Sequence, residues 1–148
     1  MKRLSILLVS IATLALASCN TLHSVAGSDA VAQTAGQTCG TALLGLYKAY
    51  KSTGTVSLTD PTNLGYALSL ATAYTQIKNN KNSENYRKAF ANGLVLSSAG
   101  LVTNSNSNAF ITALLGASAL GNVSNSSTTT QRNEAASSIT TLFSTLDK

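Results

Sequence analysis

Apolar residues recur at intervals of three and four along most of the chain, which is the spacing of one face of an α-helix. Five stretches show this period, and short polar segments separate them. The first runs from about Asp29 to Ser52 and is followed by Gly54. The pattern predicts an all-α fold, a bundle of about five short helices.

Local signals mark where the later helices begin and end. Asp60 can cap a second helix, and Pro61 suits its first turn, where a missing N–H leaves no hydrogen bond unmade. Ser83 follows a polar turn at 78–82 and can cap the third helix. The fourth helix is predicted to follow a polar turn at 104–108 and to end at Gly121, and the fifth to begin at about Thr130.

Small residues recur every four positions within the predicted helices. Such a stripe lies along one ridge of a helix and lets two backbones approach closely. We therefore expect unusually tight helix pairs. The stripes are Ala32, Gly36, Gly40; Ala67, Ala71, Thr75; Ala89, Gly93, Ser97; and Ala109, Ala113, Ala117, Gly121.

The polar surface carries few charges, since only 10% of the 148 residues are charged, and Ser, Thr and Asn take their place. The formal net charge is +5, of which Lys2 and Arg3 supply two, so the remainder lacks the strong basic excess typical of nucleic-acid binding. Cys39 lies on an apolar helix face. It is interpreted as a buried small hydrophobe, with a reactive or intermolecular thiol as the alternative.

The first eighteen residues have the three-part form of a secretory signal peptide. Lys2 and Arg3 precede a mainly apolar run at 4–16, and the small residues Ala17 and Ser18 follow. The run is shorter than the roughly 20 apolar residues that a transmembrane helix needs. We expect this segment to be removed.

The sequence Leu16-Ala17-Ser18-Cys19 resembles the lipobox of bacterial lipoproteins. The resemblance implies that the Cys19 thiol receives a diacylglycerol, that a dedicated signal peptidase cuts before Cys19, and that an acyl chain such as palmitate modifies the new amine. Only a thiolate is nucleophilic enough for such selective alkylation. The alternative is an ordinary signal peptide with an unrelated cysteine nearby.

The residues after Cys19 indicate in which membrane of the bacterial envelope such a lipoprotein is held. Asn20 replaces the aspartate that retains enteric lipoproteins in the inner membrane, and residues 20–28 lack the acidic signal of surface-displayed Bacteroidetes-type lipoproteins. The resemblance thus implies the periplasmic face of the outer membrane. Residues 19–28 are predicted to form the lipidated cysteine and a flexible tether, which reaches about 15 to 20 Å as a random chain. Residues 29–148 form the single predicted helical domain.

The residue inventory gives no support to an enzyme. His23 is the single histidine, and the carboxylates have helix-terminal or surface explanations. No spacing predicts an acid/base pair or a metal site, so no catalytic or metal-binding residue is assigned. The carboxylates are Asp29, Asp60, Glu84, Glu134 and Asp147.

One cluster of basic residues surrounds the predicted turn between the second and third helices. It could contact anionic lipid headgroups, lipopolysaccharide phosphates or an anionic polymer. The alternative is an ordinary solvated helix hairpin, in which Glu84 dilutes the charge. The cluster contains Lys78, Lys81, Arg87 and Lys88, with Tyr74 and Tyr86 beside them.

The whole chain resembles the small, uncharacterised lipoproteins of Bacteroidetes in its cysteine-containing first helix and its polar turns, a resemblance that implies no catalytic activity. The leading hypothesis is a lipid-anchored, non-enzymatic binding or scaffold module of the bacterial cell envelope. The alternative is a carrier that encloses a lipid or other apolar molecule. The expected partners are the membrane, through the anchor, and another envelope protein, with no nucleic acid and no cofactor besides the lipid on Cys19.

Overall fold

A computed structural model describes residues 28–147, and within them the fold is all-α. The predicted leader, the lipobox with Cys19, and residues 20–27 lie outside the described residues. The prediction of an all-α bundle of about five helices is confirmed. The helices are α1 (Ser28–Thr53), α2 (Pro61–Asn79), α3 (Glu84–Ser97), α4 (Ser107–Gly116) and α5 (Thr129–Leu146), with a 3₁₀ helix (Ser118–Asn122) between α4 and α5.

The predicted caps form at the starts of α2 and α3. The Asp60 carboxylate accepts hydrogen bonds from the backbone N–H groups of Thr62 (2.8 Å) and Asn63 (3.0 Å). The Ser83 hydroxyl accepts one from the N–H of Tyr86 at 3.2 Å. These bonds satisfy N–H groups that have no partner inside the helix, so the two starts are fixed by single polar side chains.

The third helix ends at Ser97, although Tyr86, Phe90, Leu94 and Leu101 continue the helical spacing of apolar residues beyond it. Ser98 is fully buried, and its hydroxyl accepts a hydrogen bond from the N–H of Val102 at 3.1 Å. Between them, Ala99 (φ 50°) and Gly100 (φ 88°) are left-handed, a conformation that stops a helix. A local side-chain bond and two left-handed residues thus override the helical period.

The prediction that the fourth helix reaches Gly121 is wrong. α4 ends at Gly116, and the Ala117 N–H bonds to the carbonyl of Leu114 (3.0 Å), three residues back. The same tighter pattern continues with Leu120 bonding to Ala117 at 3.0 Å. The 3₁₀ turn still buries Leu120 completely, which explains why the apolar period continued past the end of the helix.

One hydrophobic core joins all five helices. Aromatic side chains from four of them, α2 to α5, fill its interior, together with leucine and isoleucine. The largest fully buried side chains are Tyr86, Phe90, Phe110, Phe143, Leu43, Leu46, Leu70, Ile77, Leu94, Leu114, Leu120 and Ile139.

The backbones of α1 and α3 touch where glycines face one another. A Cβ atom at Gly36 would fall on the carbonyl oxygen of Phe90, and one at Gly93 would fall on the carbonyl oxygen of Gln33. At Gly40 a Cβ would overlap the Ser97 hydroxyl. Side chains at these positions would force the two helices apart, so the predicted close packing is confirmed for α1 and α3.

The other small-residue stripes have different outcomes. Ala67 and Ala71 are buried in α2, but Thr75 is exposed. The stripe that begins at Ala109 is not a packing ridge, because Ala109 and Gly121 are exposed and α4 ends between them. A stripe of small residues therefore marks a close contact only where a partner helix covers it.

In the described part of the chain, no helix combines the length and the apolar character needed to cross a membrane.

The glycine contact gives a direct stability test with a matched control. Gly93→Ala should lower the free energy of unfolding by about 1 to 3 kcal/mol, since the added Cβ overlaps α1 backbone. Gly65→Ala in α2 meets no atom within 4 Å and should raise it by about 0.5 to 1 kcal/mol through helix propensity. Urea denaturation followed by circular dichroism measures both, and equal effects of the two variants would contradict the close contact.

Candidate functional site

The four predicted basic residues do lie together, around the turn that joins α2 to α3. Lys78 is in the last turn of α2, Lys81 is in the connecting turn, and Arg87 and Lys88 are near the start of α3. All four side chains are exposed. We call this group the basic turn.

Part of the charge of the basic turn is neutralised. Lys88 Nζ lies 2.9 Å from the Glu84 carboxylate, one helical turn earlier. The hydrogen bond from Lys88 and its positive charge lower the pKa of Glu84. Both side chains are about 70% exposed, so the pair adds little stability. Lys78, Lys81 and Arg87 therefore supply the net positive charge.

The two tyrosines near this cluster belong to the core. Tyr74 and Tyr86 are almost fully buried. The Tyr86 hydroxyl donates to the Gln76 side-chain oxygen at 3.4 Å, and burial raises the pKa of Tyr86. Lys78 Nζ lies 5.6 Å from the centre of the Tyr74 ring. The basic turn can therefore bind a ligand through positive charge, but not by stacking on the rings of Tyr74 and Tyr86, which are buried.

A second polar and aromatic cluster, which the sequence did not predict, connects the end of α1 to the end of α5. The Tyr47 hydroxyl donates to the Asp147 carboxylate at 3.2 Å, and Lys51 Nζ lies 5.2 Å from the Tyr47 ring centre. The hydrogen bond with Tyr47 raises the pKa of Lys51. The Tyr47 and Phe143 rings meet edge to face at 5.3 Å. Only the Tyr47–Lys51 spacing is visible locally; Asp147 is brought in by the fold.

Cys39 is a core residue. Its side chain has no exposed surface, and desolvation raises the pKa of its thiol to about 12. The thiol is therefore protonated and shielded at neutral pH, as expected for a small hydrophobe rather than a nucleophile. The interpretation of Cys39 as a buried small hydrophobe is confirmed.

The carboxylates of the described residues are distributed over separate places in the bundle. Asp60 caps α2, Glu84 pairs with Lys88, and Asp147 accepts from Tyr47. Within residues 28–147, no three side chains of His, Cys, Asp or Glu are grouped so that they could hold a metal ion. The predicted lipidation site, Cys19, lies outside the described residues.

Comparisons with protein-family models, curated proteins and solved structures find no match for the chain. The class that the structure itself defines is a small all-α bundle.

The burial of Cys39 predicts its reactivity. In a Cys19→Ala chain, Cys39 is the sole thiol and should resist an aromatic disulfide reagent at pH 8 and at pH 10, because its pKa is about 12. It should react at once after unfolding in guanidinium chloride. In the same Cys19→Ala chain, a Cys39→Ala/Thr41→Cys control places the sole thiol on the exposed side of α1. This thiol should react rapidly in the folded state. Rapid reaction of native Cys39 at pH 8 would show that the site opens to solvent.

Proposed function

We propose that the protein is a lipid-anchored component of a bacterial cell envelope, whose helical domain is a non-enzymatic binding or scaffold module. The observation that carries the proposal is the sequence Leu16-Ala17-Ser18-Cys19 at the end of a signal-like leader. The described domain begins at Ser28, soon after Cys19. The lipid on Cys19 would therefore hold this domain close to its membrane.

The core supports a solid module over a carrier that encloses an apolar molecule. α1 packs more extensively against α3 than against any other helix. The two backbones touch there, at Gly36 and Gly93. Admitting a lipid between these helices would require their closest contact to separate. A bundle held this way suits the presentation of fixed outer faces to a partner.

The proposed location is the periplasmic face of the outer membrane, with another envelope protein as the partner. Asn20 and the lack of acidic residues in 20–28 support this location. The surface supports a protein partner over a highly charged polymer, because few charged side chains cover it.

The anchor is tested by acyl labelling in a bacterial host. Cells expressing the full chain are given an alkyne-bearing palmitate, and the labelled protein is followed by gel and by detergent phase partition. The wild-type chain and Cys39→Ala should both carry the label and enter the detergent phase, whereas Cys19→Ala should lose both properties. Labelling of Cys19→Ala equal to that of the wild type would contradict the proposal.

The choice between module and carrier is tested on the protein extracted from membranes in mild detergent. Native mass spectrometry should show the chain with its covalent lipid and no stoichiometric non-covalent lipid. Crosslinking in intact cells should capture a specific protein. A non-covalent lipid that remains at a ratio of one to one after detergent exchange would favour the carrier instead.

A further inference from the structure

The contacts of α1 define which ends of the first three helices lie together. Gly36 lies against Phe90 and Leu94. Gly40, one turn later in α1, lies against Leu94 and Ser97, later in α3. The contacts advance in the same direction along both helices, so α1 and α3 run parallel. Continuing this register back by two turns brings the start of α1 level with the start of α3.

The contact between α1 and α2 leads independently to the same end. A Cβ at Gly45 would overlap the ring of Tyr66, so the last half of α1 lies beside the first half of α2. The short connection at 54–60 makes α1 and α2 antiparallel. Counting back along α1 and forward along α2 from this contact brings position 28 level with about position 83. The basic turn and the start of α1 therefore share one end of the bundle.

Charge is distributed unequally between the two ends. The end with the start of α1 holds the four cations of the basic turn against two carboxylates, Asp29 and Glu84. At the opposite end, the two cations Lys48 and Lys51, in the last turns of α1, are matched in number by two carboxylates, Asp60 at the start of α2 and Asp147 at the end of α5. The remaining charged side chains of residues 29–147, Arg132 and Glu134 in α5, have opposite charges that cancel.

We propose that the basic turn is a second membrane contact, which docks on an anionic phospholipid surface and orients the domain with this end toward the bilayer. The inference rests on the proposed anchor at Cys19. The chain that carries Cys19 enters the domain at Ser28, and the predicted tether of about eight residues would reach only about 15 Å as a random chain. The anchor thus delivers the positively charged end of the bundle to the lipid headgroups.

The lipid on Cys19, a diacylglycerol with an added acyl chain, would hold the protein at the membrane without a further contact. The basic turn therefore acts on the orientation of a domain that is already anchored. Each lysine or arginine near an anionic surface multiplies the ratio of docked to undocked domain by about fivefold. The charges of Lys78, Lys81 and Arg87 are exposed and lie on flexible side chains, so they can reach phosphate groups without refolding. The effect should weaken in salt, since the screening length falls to about 3 Å at 1 M.

The test measures orientation on protein that is already anchored. The full chain is produced in a bacterial host, purified from membranes and reconstituted in vesicles of phosphatidylcholine alone or mixed with phosphatidylglycerol. A thiol-reactive dye is placed at Asn82→Cys in the basic turn or at Ser52→Cys at the opposite end, both exposed positions. Cys39 is shielded and Cys19 is alkylated, so the dye reacts with the new thiol. Quenching by headgroup-labelled lipid reports proximity to the bilayer.

The expected result is strong quenching at position 82 in vesicles with phosphatidylglycerol and weak quenching at position 52. Lys78→Gln/Lys81→Gln should lower the ratio of docked to undocked protein by roughly 25-fold, at about fivefold per residue. The matched variant Lys48→Gln/Lys51→Gln removes the same charge from the other end and should leave quenching at position 82 unchanged. High salt should reproduce the effect of the first variant.

Intact mass spectrometry of the same preparation separates the two proposals. If Cys19 carries lipid but quenching at position 82 is independent of phosphatidylglycerol, or unaffected by Lys78→Gln/Lys81→Gln, the basic turn does not dock and the anchor stands. If Cys19 carries no lipid, both proposals are wrong. If the two double variants lower the quenching at position 82 equally, the effect is one of total charge, and the inference is also overturned.

Discussion

The backbone contact between α1 and α3 is the constraint on which the rest of this bundle depends. Gly36, Gly40 and Gly93 leave no side chain between the helices, so the contact fixes their relative position within one helical turn. On one side of it, Cys39 and Leu94 enter the core without exposed surface. The parallel arrangement of α1 and α3 then requires α2 to run back between their ends. The place of the basic turn at one end of the bundle follows from that contact, and the contact of Gly45 with Tyr66 agrees with it.

Much of the fold could be predicted from local signals. Asp60 and Ser83 mark helix starts because one side-chain oxygen can satisfy the free N–H groups of a helix start without help from the fold. The end of α3 could not be predicted from local signals, because it depends on the hydrogen bond that the Val102 N–H donates to the buried Ser98 hydroxyl. Leu120 kept the apolar period in a 3₁₀ turn, because a core position can be reached from more than one backbone geometry.

The candidate site was only partly visible in the sequence. Lys78, Lys81 and Arg87 are close along the chain, so their grouping at one turn could be predicted. Burial of Tyr74 and Tyr86 could not, because a tyrosine on a helix suits either a core or a surface. The position of that turn beside the start of α1 could not be predicted either. It depends on the direction in which α1 crosses α3, and hydrophobic periodicity does not encode that direction.

The most direct test of this account is the distance between the start of α1 and the two ends of α3. Spin labels at Asp29→Cys and Asn85→Cys, compared with labels at Asp29→Cys and Leu96→Cys, use three exposed positions. The rise along α3 between positions 85 and 96 is about 16 Å. Pulsed electron paramagnetic resonance should find the 29–85 distance clearly shorter than the 29–96 distance. The reverse order would mean that α1 and α3 are antiparallel, and the basic turn would then lie at the opposite end from the anchor.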